Sequence, residues 1–184
     1  MMTHRAMSFR RFARDRRGVS AVEFALVAPL MIALYFGCVE ISDGVAVDRK
    51  VSLTAATLAN LVAQSTSLSK TDMDNVLNAA SAIVQPYAAS NLKMTVSCVS
   101  IGNNKNVTTK WSRDAATGGV TAPLTVPQDL KVPGTQLVAA QVAYDYKPIV
   151  GYTITGTLTL SDQMFMMPRI SAPSYTDGST KQCS

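Results

Sequence analysis

Apolar positions along this chain follow three patterns, and the first is an uninterrupted run near the start. No charged residue occurs from Phe24 to Val39. Counted from Val19, the stretch has 21 residues, and as a helix it would cover roughly 30 Å, the thickness of the hydrocarbon core of a bilayer. The run therefore predicts a transmembrane helix over residues 19–41, with the carboxylate of Glu23 near its start.

The second pattern is a helical period that continues beyond the run. Apolar residues recur there at near-helical spacing with polar residues between them; they are Val47, Val51, Leu58, Leu61 and Val62. The pattern predicts one long helix from about Val19 to about Ser65, whose outer half packs on a folded domain. A second helix should follow, because Ser69 can cap it and Asp72 stands at its third position.

The third pattern is an alternation with a period of two, which predicts strands. We expect them at Leu92–Ile101, Val107–Arg113, Gln136–Tyr146 and about Tyr152–Leu160, with Ser161–Arg169 either extending the last strand or adding a short fifth one. The segment 114–135 is rich in Ala, Gly, Thr and Pro, which predicts a long loop. The fold class is therefore α+β, with a small antiparallel sheet against helices.

The distribution of charged residues also separates the N-terminal segment from the rest of the chain. Residues 1–18 hold six arginines against Asp15, whereas the rest of the chain holds 11 basic and 11 acidic side chains. Basic residues beside an apolar run predict a leader at 1–18 that stays in the cytoplasm, an exported domain at 42–170 and a polar tail at 171–184. Since the folded part has no basic excess of its own, the balance argues against a nucleic-acid partner.

Three cysteines are present. Cys38 lies in the predicted span, whereas Cys98 and Cys183 lie in the exported part, where an oxidising compartment permits a disulfide between them. Sequence alone does not establish that their Cα atoms lie close enough. The sequence therefore leaves two possibilities open for Cys98 and Cys183: they form a disulfide, or they do not.

Catalysis has little support in the sequence. The only histidine is His4, in the leader, so no Ser-His-Asp or Cys-His arrangement can form in the exported domain. Asp72 and Asp74 diverge on their helix and are predicted to be solvated surface charges. Because neither a glycine-rich phosphate loop nor a metal-ligand spacing occurs, we expect no enzyme, no cofactor, no metal and no small-molecule substrate.

Glu23 has two interpretations. A carboxylate in an apolar segment either reaches the headgroups at the interface or pairs with a cation in the plane of the membrane. If the chain is cut after Gly18, the new α-amino group of Val19 would be such a cation. Its own Glu23 lies more than a helical turn away, so the Val19 terminus of a neighbouring subunit is the expected partner.

The residues around this point resemble a known leader. The sequence Arg16-Arg17-Gly18 ends five residues before Glu23, and an apolar helix follows it. This arrangement resembles a class III (type IV prepilin-like) leader. The run RGVSAVEFALVAPL at 17–30 is similar to the TadE/TadG family, which are pilin-like proteins of the tight-adherence (Flp, type IVb) pilus system. The similarity is close over residues 16–45 and looser over 138–169.

The resemblance implies a specific role. A prepilin peptidase would cut between Gly18 and Val19, and Glu23 and Phe24 would serve assembly. The chain would be a single-pass protein of the bacterial inner membrane with a periplasmic domain. It would act as a pseudopilin or minor pilin in pilus assembly, adhesion and biofilm formation, with other pilin-like subunits, the assembly machinery and membrane lipid as partners.

A second hypothesis belongs to another class of protein. The chain would then be a membrane-anchored periplasmic module that binds a ligand or protein outside any pilus, with the loop at 114–135 as its contact surface. The mature N-terminus separates the two hypotheses, because only the pilin-like protein is expected to begin at Val19.

Overall fold

The computed structural model describes residues 17–148 and 156–183. Most of the predicted leader and the start of the predicted fourth strand lie outside the described residues. The elements in chain order are helix α1 (Arg17–Ala63), strand β1 (Ser67–Ser69), helix α2 (Lys70–Ser81) and strands β2 (Leu92–Ile101), β3 (Val107–Asp114), β4 (Gln136–Tyr146), β5 (Leu158–Met166), β6 (Ser174–Asp177) and β7 (Ser179–Lys181). The predicted α+β class is confirmed.

The chain divides into two compact units between Ile41 and Ser42. Residues 17–41 of α1 are the described part of the first unit. The second unit holds the rest of α1, helix α2 and every described strand. The helix predicted from Val19 to Ser65 is confirmed as one element, with each end within two residues of its predicted position.

Helix α2 begins as its local sequence predicts. The side chain of Ser69 accepts a hydrogen bond from the backbone N–H of Asp72, and the Asp72 carboxylate accepts one from the backbone N–H of Ser69. This reciprocal pair satisfies two backbone donors that the first turn of a helix leaves open. The hydrogen bonds from the side chain and backbone of Ser69 hold the pKa of Asp72 below its usual value.

A four-stranded antiparallel sheet of order β3-β2-β4-β5 forms the centre of the second unit. The residues of α1 that face inward belong to one buried cluster with the sheet; they include Val47, Val51, Leu58 and Val62 from the helix and Leu92, Val96, Val138 and Val142 from the strands. The outer half of α1 therefore packs on the sheet as the helical period predicts.

The opposite face of the sheet is buried as well, which the sequence patterns miss. Val126 forms a second buried cluster with Val99, Ile101 and Leu137, and Leu124 and Leu130 pack against it. The loop after β3 thus covers this face, and Gln141 Nε2 donates to the carbonyl of Ala122 at 3.1 Å. As a result, strand β4 is buried on both faces over most of its length.

Strand β5 confirms one of the two alternatives for the last part of the sheet, in which the residues after Leu160 extend the fourth strand. It runs as a single strand from Leu158 to Met166, so the residues divided between a fourth strand and its extension belong together. Its register pairs Leu160 with Tyr144 and Met166 with Val138. The predicted start at Tyr152 lies outside the described residues.

The segment predicted as a polar tail is ordered. We call residues 169–183 the C-terminal strap. The backbone N–H of Arg169 donates to the carbonyl of Ala63 at 2.9 Å, and β6 pairs in parallel with β1 while β7 pairs antiparallel with β6. Tyr175 in the strap is buried, and its ring centroid lies 5.5 Å from that of Trp111. The sequence patterns did not indicate strands here because the partner of β6 is more than 100 residues away in sequence.

Candidate functional site

The first part of α1 exposes apolar side chains around its whole circumference. The exposed set is Val19, Val22, Phe24, Leu26, Val27, Leu30, Met31, Ile32, Leu34, Tyr35, Phe36, Val39 and Ile41. A helix that is apolar on all sides is stable only when lipid or protein surrounds it. Among the described residues, α1 is the one helix with the length and composition to cross a membrane, with a mean hydropathy of 2.1 over its most apolar window.

Gly18 lies at the start of α1 with open space around it. An added Cβ would meet no heavy atom of the rest of the protein within 4 Å. Replacing Gly18 with alanine therefore disturbs no contact in the described structure. A change in processing caused by Gly18→Ala would report recognition by a peptidase and not a folding defect.

Val19 and Glu23 share one face of α1. They are four residues apart in a continuous helix, which places them about 6 Å apart along the axis and on the same side. Both residues are exposed. The sequence expectation stressed the axial distance; the shared face shows that an α-amino group at Val19 would also be accessible to the Glu23 of its own chain.

Phe24 follows directly and is among the most exposed apolar residues, at 74%. Successive positions in an α-helix diverge by about 100°, so the ring of Phe24 projects beside the carboxylate of Glu23 on an adjacent face. The pair places an acid and a large apolar ring in the first two turns of the apolar helix. Such a surface can bind a charged terminus and an apolar helix at once.

Cys98 and Cys183 are joined by a disulfide, so the structure takes one of the two states that the sequence leaves open. Their Cα atoms lie 5.8 Å apart, and both residues are buried. The bond fixes the C-terminal strap to the central strand β2. Cys38 is exposed on the apolar part of α1.

Asp72 and Asp74 lie at the surface of α2, as the sequence predicts, and each also makes a specific contact. Asp72 caps α2, and Arg113 Nη2 lies 2.9 Å from Asp74 Oδ1. The hydrogen bond with Asp74 raises the pKa of Arg113, and this contact links α2 to β3. No group of three or more acidic, cysteine or histidine side chains suited to a metal occurs among the described residues.

The loop at 114–135 is held against the sheet at several points. Thr95 Oγ1 donates to Asp114 Oδ1 at 2.7 Å and accepts from the backbone N–H of Val120 at 2.9 Å. Val126, at 5% exposure, lies in the core of the opposite sheet face. The apolar residues of this loop are used to cover the sheet, which weighs against the loop as a ligand-contact surface.

Comparison with known proteins gives one result for this chain. Residues 18–59 match the family model described as TadE-like protein. No curated protein and no solved structure matches the chain significantly. The matched segment begins at Gly18 and contains both the exposed apolar part of α1 and most of the part that packs on the sheet.

Proposed function

We propose that this chain, which carries a TadE-like segment at residues 18–59, is a pseudopilin or minor pilin that acts in the assembly of a tight-adherence (Flp, type IVb) pilus. In this role it supports adhesion and biofilm formation. The apolar part of α1 crosses the bacterial inner membrane once, the leader stays in the cytoplasm and the α+β domain lies in the periplasm. Its partners are other pilin-like subunits, the assembly machinery and a prepilin peptidase.

One observation carries the proposal: the TadE-like segment lies on a single helix whose two parts differ in how their apolar side chains are exposed. Its first part exposes apolar side chains on all sides, and its second part belongs to the buried core of the domain. A subunit of a helical assembly needs such a helix, because the first part can exchange lipid for the helices of other subunits. The second part keeps the domain attached during that exchange.

Glu23 supplies the directional contact in this mechanism. After cleavage behind Gly18, the α-amino group of Val19 is a cation at the start of the helix, and a carboxylate in apolar surroundings is stabilised by pairing with it. Since both residues are exposed, the Glu23 of one subunit can bind the Val19 terminus of the next. The ring of Phe24 then packs against the apolar helix of the same neighbour.

The cleavage step is tested by the mass and N-terminal sequence of the mature protein. In cells with a prepilin peptidase we expect the chain to begin at Val19, and Gly18→Ala should leave the leader attached. The matched control is Gly37→Ala on the same helix, where an added Cβ also meets nothing within 4 Å. A wild-type chain that still carries its leader in competent cells would favour the membrane-anchored binding module.

The assembly step is tested by substitutions of Glu23. We expect Glu23→Gln to leave the chain in the membrane fraction but to lower pilus number and co-purification of partner subunits at least about tenfold, the effect of roughly 1.4 kcal/mol. Glu23→Asp keeps the charge and should restore most of the function. Glu40→Gln removes a charge near the other end of the apolar stretch and should have a smaller effect. Unchanged pilus number in Glu23→Gln would rule out the carboxylate contact.

A further inference from the structure

The second unit carries a group of aromatic and apolar side chains close to where α1 enters it. Tyr146 packs beside Gly44, because a Cβ at Gly44 would lie 3.8 Å from the Tyr146 ring. Tyr146 pairs across the sheet with Leu158, so their side chains share the face that packs on α1. Leu158 is nevertheless 46% exposed.

Tyr87 joins this group from the segment after α2. It is half-buried and packs against the main core cluster together with Tyr146. Burial raises the pKa of Tyr87, and the nearby carboxylate of Asp43 raises it further. Lys50 Nζ donates to the backbone carbonyl two residues before Tyr87 at 2.8 Å, which holds this segment against α1. We call Tyr87, Tyr146 and Leu158 the rim.

The chain connection limits how far Gly44 can be from the apolar stretch. Gly44 follows Val39, the last residue before the first charged position, by five residues of one helix, or about 7.5 Å. The headgroup layer on each side of a bilayer is about 5–8 Å thick. Gly44 and a side chain that contacts it can therefore reach that layer when the apolar stretch fills the hydrocarbon core.

The side chains of the rim also favour a position in the headgroup layer. Tyrosine is enriched at membrane–water interfaces, because its ring is apolar and its hydroxyl is polar. An exposed leucine that pairs with a half-buried tyrosine gains free energy when lipid covers it. The exposed Lys147 follows Tyr146 directly and can reach an anionic headgroup.

We propose that the rim, formed by Tyr87, Tyr146 and Leu158, is a membrane-contacting surface that lies in the headgroup layer of the bilayer crossed by α1. The inference rests on the proposed function only in requiring that the apolar part of α1 is inserted in a membrane. The rim holds the domain down on the lipid, and the domain must release this contact when the subunit leaves the membrane.

The chain provides its own distant reporter for a test. Its single tryptophan, Trp111, lies opposite Cys98, which in turn pairs with Val138 on β4. Val138 is eight residues from Tyr146 along an extended strand, or about 26 Å. Phe165 offers a matched control, because it is half-buried and pairs with Ala139, seven residues or about 23 Å from Tyr146 along β4.

The experiment uses the full chain in vesicles of phosphatidylcholine with a minor share of phosphatidylglycerol, made with and without brominated acyl chains. Bromine quenches tryptophan at short range. We expect fluorescence loss in Tyr87→Trp, Tyr146→Trp and Leu158→Trp, and none in the wild type or Phe165→Trp. Leu158→Trp also serves if a tyrosine variant misfolds, because its position is exposed.

Three results would overturn the proposal in different ways. Equal quenching of Phe165→Trp would show that the rim is not specifically oriented to lipid. A chain that remains in the vesicles after an alkaline wash but shows no quenching at any rim position would refute the rim and leave the membrane span intact. A chain that the alkaline wash removes would refute the span, and the rim with it.

Discussion

The two halves of helix α1 carry similar apolar side chains in opposite surroundings. Leu34 in the first half is 58% exposed, whereas Leu58 in the second half is fully buried. In the second half the apolar residues recur on one face and meet the sheet. In the first half they cover every face, so no single protein surface could bury them. The comparison shows that hydrophobicity alone does not fix the role of a helix; its angular distribution does.

The difference separates two kinds of energetic contribution. Side chains of the second half stabilise the domain through packing in water. Side chains of the first half contribute only where lipid or other subunits surround them. Substitutions in the two halves should therefore change different measured quantities, and the following predictions test this from the largest expected effect to the smallest.

The disulfide should contribute most to the stability of the second unit. Replacing both Cys98 and Cys183 with alanine should lower its free energy of unfolding by about 4 kcal/mol, because the bond closes a loop between residues 85 positions apart. Guanidinium unfolding of the full chain in detergent, followed by Trp111 fluorescence, measures the loss.

Cys38→Ser is the matched control for the disulfide, because it removes a cysteine from the apolar half of α1. It should leave the unfolding midpoint unchanged. A comparable shift in Cys38→Ser would mean that the first half contributes to domain stability, which would break the contrast between the two halves.

Replacing Leu58 or Leu34 with alanine directly tests the contrast between the two halves of α1. Leu58→Ala should cost about 3 kcal/mol of domain stability, because it leaves a cavity in the core. Leu34→Ala should change the same quantity by less than about 0.5 kcal/mol. Both are measured by the unfolding midpoint in detergent.

Two further measurements on the Leu34→Ala and Leu58→Ala variants are the retention of the chain in the membrane and the number of pili. Leu34→Ala should act on pilus number, because the position meets lipid or other helices in the proposed assembly. If Leu34→Ala instead lowered the unfolding midpoint as much as Leu58→Ala does, the first half would have to pack on protein within the same chain.

The smallest predicted effect is a pH dependence confined to the second unit. Lys93 Nζ lies 2.9 Å from Asp145 Oδ2, and Thr159 Oγ1 donates to Asp145 Oδ1 at 2.9 Å. These hydrogen bonds, that of Lys93 first, hold the pKa of Asp145 below its usual value. The contribution is therefore fully present above the unfolded pKa of about 3.9 and is lost as the pH falls through the lower folded pKa.

The size of this effect is limited by solvent, because 42% of the Lys93 side chain and 28% of the Asp145 side chain are exposed. We expect less than about 1 kcal/mol. Asp145→Asn should reduce the acid-induced loss of stability between about pH 5 and pH 2. An unchanged pH profile in Asp145→Asn would assign the acid sensitivity to other carboxylates.

Local sequence signals predicted the helices and the central strands closely. The capping pair at Ser69 and Asp72 needs only four residues, and the alternation in β4 predicts its bounds as Gln136–Tyr146, which the structure confirms. These elements depend on neighbours in sequence, so propensity and period are sufficient to locate them.

The parts that sequence could not predict depend on distant partners. Val126 lies in a segment whose Ala, Gly, Thr and Pro content predicts only a long loop, yet it is buried because β2 and β4 present a second apolar face. The strap is held by β1, by the disulfide and by the hydrogen bond from Trp111 Nε1 to the carbonyl of Pro173 at 3.0 Å. In the candidate site, the apolar segment with Gly18, Val19 and Glu23 was accessible from sequence. The bond between Cys98 and Cys183 was left open by sequence and required the structure, and the rim required the register of β4 and β5.

The pairing of Ser67 with Ser174 also sets an order of events during biosynthesis. A chain delivered from its N-terminus presents α1 and β1 more than 100 residues before their partner strand emerges. Until then the apolar stripe of α1 and the edge of β1 have no cover from the strap. Delivery of the strap is therefore the step that closes the domain, and the preceding interval is when the chain most needs a holding chaperone.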